Sequence, residues 1–212
     1  MPPVVSIVGV SESGKTTFLV KLIGELKSRG YKIATVKHTH HDQEFAPSGK
    51  DTLRHIKAGS EATVLNAPNG ITLIKPAKRE LPFEEIVRLL GEDYDLILTE
   101  GFSRGDAPKI ELHRKERGAL LKSATKRIAI VTDEPLDTKV RQFSLDDVKG
   151  VADLIEKGFI KPNKERISFY VNDAPVTLSL FPRQIITNVL LGMAQSLKGI
   201  GRVKKLQIYL KR

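Results

Sequence analysis

Cysteine is absent from all 212 residues of the chain. That excludes disulfides and thiolate metal sites but leaves the redox compartment open. Aromatic residues make up only 6% of the chain, and they do not interleave with basic residues as on surfaces that stack against bases. No apolar run is long enough to cross a bilayer. Met1-Pro2-Pro3 leads straight into the first apolar segment, with no basic-then-apolar leader ahead of it. The expected location is therefore the cytoplasm, with no membrane partner. Acidic residues are in the minority, 25 against 35 basic ones, for a net charge of +10. The basic residues are scattered among acids, which reads as a solvated surface rather than a nucleic-acid footprint.

Hydrophobic residues reach 40%, enough for a good core and an accessory lobe. The strongest local signal is Gly9-Val10-Ser11-Glu12-Ser13-Gly14-Lys15-Thr16, which fits the phosphate-binding P-loop pattern G-x-x-x-x-G-K-[ST]. Its setting fits as well. Val4 to Val8 reads as a buried strand, and Phe18, Leu19, Leu22, Ile23 and Leu26 recur at helical spacing. Glycines allow a tight turn, so that amides of Glu12, Ser13, Gly14, Lys15, Thr16 and Thr17 can surround a phosphate at a helix N-terminus. Lys15 would reach the terminal phosphates, Thr16 would ligate Mg²⁺ and Thr17 would contact the α-phosphate. The loop reads phosphates, so it does not separate GTP from ATP.

Further along, Tyr31 to Val36 predicts a second strand and Lys37 to Ser48 an irregular polar stretch. Asp51 to Ala58 predicts a helix, and Ala62 to Leu65 with Ile71 to Ile74 a hairpin about Pro68-Asn69-Gly70. Phe83 to Leu90 reads as a helix. Asp95 to Thr99, Lys109 to Leu112 and Arg127 to Val131 read as strands, and Leu145 to Glu156 as a helix. Alternating strands and helices predict a three-layer α/β P-loop domain with a mainly parallel sheet over residues 1–158. Ligands in such folds bind at the carboxyl ends of the strands. A linker is expected near Gly158 to Glu165, followed over 164–212 by a small ββαβ lobe. Its elements are Ile167 to Val171, Val176 to Leu180, a helix opening at Pro182, and a last strand through Leu206, Ile208 and Leu210. The helix's apolar stripe, Ile185 to Leu197, is expected to be core.

Other residues extend the site. Glu100 ends an apolar strand, where P-loop proteins place an acid for Mg²⁺. His38, His40 and His41 could bind a metal or form a polar loop facing the nucleotide. Asp51 could cap its helix or join the Mg²⁺ shell. Lys109, Arg114, Lys115 and Arg117 form a basic set that could contact phosphates or simply be solvated. Asp133, at another strand end, could accept from guanine or cap a turn.

Together these stretches resemble the MobB family of molybdopterin-guanine dinucleotide biosynthesis adaptor proteins. The resemblance rests on the P-loop, Lys37-His38-Thr39-His40-His41-Asp42, Gly49-Lys50-Asp51-Thr52, Thr99-Glu100-Gly101-Phe102 and Pro108-Lys109-Ile110-Glu111. It covers residues 4 to 135. It implies a GTP-binding protein, dimeric, with weak GTP hydrolysis at most, that assists the guanylyltransferase attaching GMP to molybdopterin. It also implies that Lys37, His38, Lys50, Asp51, Lys109 and Arg114 line a cleft for GTP or molybdopterin. The family pattern has an acid where Ala46 stands, which argues against metal coordination by this loop. No Asn-Lys-x-Asp guanine motif is present. Two rival readings are a small-molecule P-loop kinase and a metal-insertion GTPase with the His38–His41 loop as cargo ligand.

Overall fold

A computed structural model of the chain describes residues 1–39, 50–77, 79–163, 166–172 and 174–210, with only the backbone described at Lys50 and Pro175. His40, His41, Asp42, Ala46 and the Lys50 side chain lie outside the described residues.

The main sheet has six strands in the order β2-β5-β1-β6-β7-β8, and every neighbouring pair is parallel. They are β1 (Val4–Val8), β2 (Ile33–Lys37), β5 (Leu96–Glu100), β6 (Lys109–His113), β7 (Arg127–Thr132) and β8 (Arg141–Ser144). Strands β3 (Thr63–Ala67) and β4 (Gly70–Ile74) form the expected antiparallel hairpin. Among the described residues β8 was not anticipated, because Arg-Gln-Phe-Ser has one apolar residue and no alternation.

The sheet's two faces are built by alternation along each strand. Val5 and Ile7 of β1, Leu96 and Leu98 of β5, and Ile110 and Leu112 of β6 meet two helices on one face. These are α1 (Lys15–Ser28), through Phe18, Leu19, Leu22 and Leu26, and α4 (Val148–Ile155), through Val151, Ala152 and Ile155. On the other face Ala34 and Ile97 pack on Val87 of α3 (Phe83–Leu90). Helix α2 (Lys50–Lys57) lies next to β3. A three-layer α/β fold results.

An arginine ties α1 to α4. Arg29 bonds Glu25 at 2.8 Å, Asp153 at 2.6 Å and Glu156 at 2.7 Å. Polar groups inside the sheet domain are also paired. Buried Glu111 accepts from Arg127 Nε at 2.6 Å and from the Leu121 amide at 2.6 Å. Thr99 Oγ1 donates to Ser6 Oγ at 2.8 Å, joining β5 to β1 beneath the P-loop.

The carboxyl-terminal lobe differs from expectation. Its strands are two residues each, β9 (Tyr170–Val171) and β10 (Ala174–Pro175), and α5 spans Leu180–Gln195. Pro182 sits in the first turn of α5, as its missing amide allows. Among the described residues no strand forms over 206–210, which corrects the expected last strand. Alternation yields a strand only where a partner edge exists, and β9–β10 is too short to provide one. The expectation that the helix's stripe is core is corrected too, since no residue of α5 is buried. The lobe is held to the turn before β5. Arg166 donates to the carbonyls of Glu92 and Tyr94 at 2.7 and 2.6 Å, and Lys205 pairs with Asp93.

Candidate nucleotide site

Backbone conformation makes the loop. Gly9 has φ 147, and a Cβ there would lie 2.4 Å from the Leu112 carbonyl oxygen. Only glycine lets β1 turn away so close to β6. Gly14 is left-handed at φ 91 and precedes α1. Glu12 is left-handed as well, at φ 59, a conformation costing of order 1–3 kcal/mol in a non-glycine residue. Arg117 Nη1 holds its carboxylate at 2.8 Å. Among the described residues α1 has no side-chain cap and no acid in its first turn. Its first amides are left for an anion, favoured by the helix dipole. Ser13 Oγ is buried with no hydrogen-bond partner among the described residues, a polar group that a ligand oxygen would satisfy.

The predicted metal pair is brought together. Thr16 Oγ1 donates to Glu100 Oε1 at 2.8 Å. Lys37 Nζ is 3.7 Å from the same carboxylate oxygen, and the His38 amide donates to the Glu100 carbonyl at 2.9 Å. Lys15 Nζ donates to the Val10 carbonyl at 2.6 Å. Burial pulls the Lys15 pKa below its ordinary value. Glu100 opposes that shift and Lys37 adds to it. Gly101, at φ 98, leaves room for His38, whose Cβ would be 3.2 Å from an added methyl. The His38 ring packs on Phe102 at 4.7 Å, and Nδ1 faces Glu80 Oε1 at 3.2 Å.

The basic set separates. Arg114 reaches the loop, with Nη2 3.6 Å from a Cβ built on Gly14, and Asp133 Oδ2 lies 3.7 Å from Nη1. Asp133 Oδ1 accepts from the Lys115 amide at 2.9 Å, and this bond most of all lowers its pKa. So Asp133 anchors the turn at 115–117 and faces Arg114. Lys109 is buried, and its ammonium donates to the carbonyls of Gly105 and Ala107. Burial, and Lys126 nearby, lower its pKa. It anchors the loop before β6 rather than opening toward a phosphate, a correction to the expected cleft role. Asp51 is exposed on the first turn of α2 and pairs with Arg54 at 3.7 Å. Among the described residues no group of three or more His, Asp or Glu could hold a metal.

Two features escaped the sequence reading. A cavity of about 120 Å³ opens beside Ser13, Thr17, Lys21, Arg114, Leu145 and Asp146. Leu145 and Asp146 follow β8; the sequence reading placed them in a helix from Leu145, and the helix instead begins at Val148. Buried His113, at the end of β6, faces Glu134 Oε1 at 3.0 Å, and both line a cavity of about 510 Å³.

Comparison with known proteins follows the same boundaries. The family model described as "Molybdopterin guanine dinucleotide synthesis protein B" matches residues 4–133. The molybdopterin-guanine dinucleotide biosynthesis adapter protein of Haemophilus influenzae is 34% identical, covering 73% of this chain and 88% of the relative. The Escherichia coli adapter is also 34% identical, covering 77% and 97%. A crystal structure of molybdopterin-guanine biosynthesis protein B superposes with a TM-score of 0.59 at 28% identity, over 73% of this chain and 98% of that one. Bacillus subtilis MobB, at 24% identity and a TM-score of 0.57 over 74% and 98%, shares the fold.

Proposed function

This chain belongs to the molybdopterin guanine dinucleotide synthesis protein B family, and from that premise we propose that it is an adapter that binds Mg²⁺·GTP and assists the guanylyltransferase attaching GMP to molybdopterin. The observation that carries the nucleotide half of this reading is Thr16 Oγ1 on Glu100 Oε1 at 2.8 Å, at the rim of a P-loop. A hydroxyl and a carboxylate are the hard oxygen ligands that Mg²⁺ takes. The buried Ser13 hydroxyl and the uncapped start of α1 fit phosphate oxygens. When bound, magnesium neutralises charge on the β- and γ-phosphates.

The chain's own groups then have distinct tasks. Lys15 swings from the Val10 carbonyl to the phosphates, a short movement of a flexible stem. Glu100 holds Thr16 and balances Lys37. Arg114, steered by Asp133, lies over Gly14, where it counters negative charge. Asp146, beside Thr17 and Lys21, is the carboxylate offered to a guanine edge. Two carboxylates near the loop are engaged, Glu12 by Arg117 and Asp133 by Lys115. Neither is free to take a proton from water, in keeping with the proposal of weak hydrolysis at most. The name "adapter protein" on the curated relatives supports a partner enzyme. We place the protein in the cytoplasm, as a homodimer.

Titration with a fluorescent GTP analogue tests the site. Lys15→Ala weakens binding more than about tenfold, or 1.4 kcal/mol, with the fold intact by circular dichroism. Unchanged affinity removes the site. Competition by ATP, together with turnover measured with and without the guanylyltransferase, separates the adapter from a kinase. Phosphoryl transfer to a small acceptor in the absence of any partner would overturn the adapter reading.

A further inference from the structure

Phe181, Ile185, Val189, Met193 and Leu197 fall four residues apart and make one ridge along α5 and its end. All five are between 46% and 72% exposed. The opposite side of the helix, with Ile186, Leu190, Leu191 and Ala194, is half-buried. A helix that is apolar on both sides belongs in an interior, so something should cover the outer ridge. Charge in this part of the chain is one-sided. Residues 174–212 contain seven basic residues and no acidic one, whereas the rest of the chain holds 28 basic against 25 acidic. Most of the net charge of +10 therefore sits on this segment. Lys198, Arg202, Lys204 and Lys205 directly follow the ridge.

We propose that the α5 ridge docks this protein onto its guanylyltransferase, in an apolar groove rimmed by aspartate and glutamate. This rests on the adapter reading above. Three observations select a protein groove. Gln184, Asn188, Gly192 and Gln195 sit beside the ridge and are short or uncharged, which permits close approach of groove walls. A helix lying on a membrane instead carries lysine and arginine along its polar face, and α5 has one charged residue, Arg183. A second copy seated ridge to ridge would bring two sets of seven like charges together, which opposes pairing through this face and leaves the proposed homodimer to another surface. The ridge also lies beyond residues 4–133, which match the family model. About a quarter of this chain is left over when the Escherichia coli adapter is covered over 97% of its length. The contact is thus an addition to the matched P-loop domain, and the basic cluster would steer it onto an acidic rim.

Calorimetric titration of the full chain against the purified guanylyltransferase of the same organism tests this. Three proteins are compared at low and high salt: wild type, Ile185→Asp/Val189→Asp, and Arg202→Glu/Lys204→Glu. The ridge variant should bind about tenfold or more weaker. The charge variant should lose affinity and much of its salt dependence. Both should keep wild-type affinity for fluorescent GTP, which shows that they fold. Wild-type binding by the ridge variant overturns the docking proposal while leaving the adapter reading intact. No binding by the wild-type chain overturns the adapter partnership itself. Ridge-dependent binding to phosphatidylglycerol vesicles, or ridge-dependent dimerisation, with guanylyltransferase affinity unchanged in the variant, overturns the proposal in favour of a membrane or a second copy.

Discussion

Helix α1 buries Phe18, Leu19, Leu22 and Leu26 against the sheet, whereas α5 leaves Phe181, Ile185, Val189 and Met193 exposed. Both helices carry an apolar stripe at helical spacing. They differ in what lies beneath. Under α1 are β1, β5 and β6, each turning alternate side chains toward it, with α4 alongside. The lobe that carries α5 has, among the described residues, only a pair of two-residue strands to offer. A stripe therefore announces that something will be covered, and the neighbouring elements decide what covers it.

The same contrast holds for ion pairs and gives the largest expected effect. Glu111 and Arg127 meet inside the sheet domain, with side-chain exposures of 2% and 20%. Arg127→Met leaves a buried carboxylate without its cation, with only the Leu121 amide still donating to it, and should lower stability by about 3–5 kcal/mol in urea unfolding. Lys205 and Asp93 meet in the lobe with 47% and 69% exposure, so Lys205→Met should leave the urea midpoint unmoved. A lobe variant as damaging as the domain variant would break the comparison.

Next in size is the apolar pair. Leu22→Ala empties a fully buried site and should cost about 2–5 kcal/mol. Val189→Ala, on the exposed ridge, should stay within about 0.5 kcal/mol in the isolated protein. A costly Val189→Ala in the isolated chain would mean that the ridge is already covered in solution.

The smallest effect concerns acid. Lys161 first, then Arg29, draw the Glu156 carboxyl down from 4.5 to about 2. A depressed carboxylate adds stability above its unfolded pKa, and this is lost as pH falls through the folded one. The window is therefore pH 4.5 down to 2. Glu156→Gln should flatten the acid-unfolding profile in that interval and leave the slope above pH 5 unchanged. A profile that matches wild type down to pH 2 would show that the Arg29 junction between α1 and α4 is not coupled to folding.

Legibility of the sequence followed locality. The P-loop was readable because its spacing is a requirement of backbone turns within eight residues. Strands β1, β5 and β7 and helix α3 were readable because apolar runs and turn residues bound them. The Thr16–Glu100 pair could be anticipated from strand-end logic alone, although 84 residues separate its members. Strand β8 was not readable, since only pairing with β7 makes Arg141–Ser144 a strand, and the Asp146 corner of the cavity read as part of a helix. Lys109 read as the start of a strand and as one of a basic set that could contact phosphates, with a cleft role implied by the resemblance. Burial on β6 turned its ammonium to carbonyls of its own loop.

The amino-acid sequence by itself determined where phosphate can be held. Glycine positions, a lysine and a hydroxyl at fixed spacing set the local backbone, and local backbone is governed by sterics that short segments carry with them. Tertiary structure alone decided which cations and carboxylates meet, which lysine is withdrawn from solvent, and which apolar stripe is left bare. Those outcomes depend on desolvation and, for pairs such as Glu111–Arg127 and Glu12–Arg117, on partners distant in the chain.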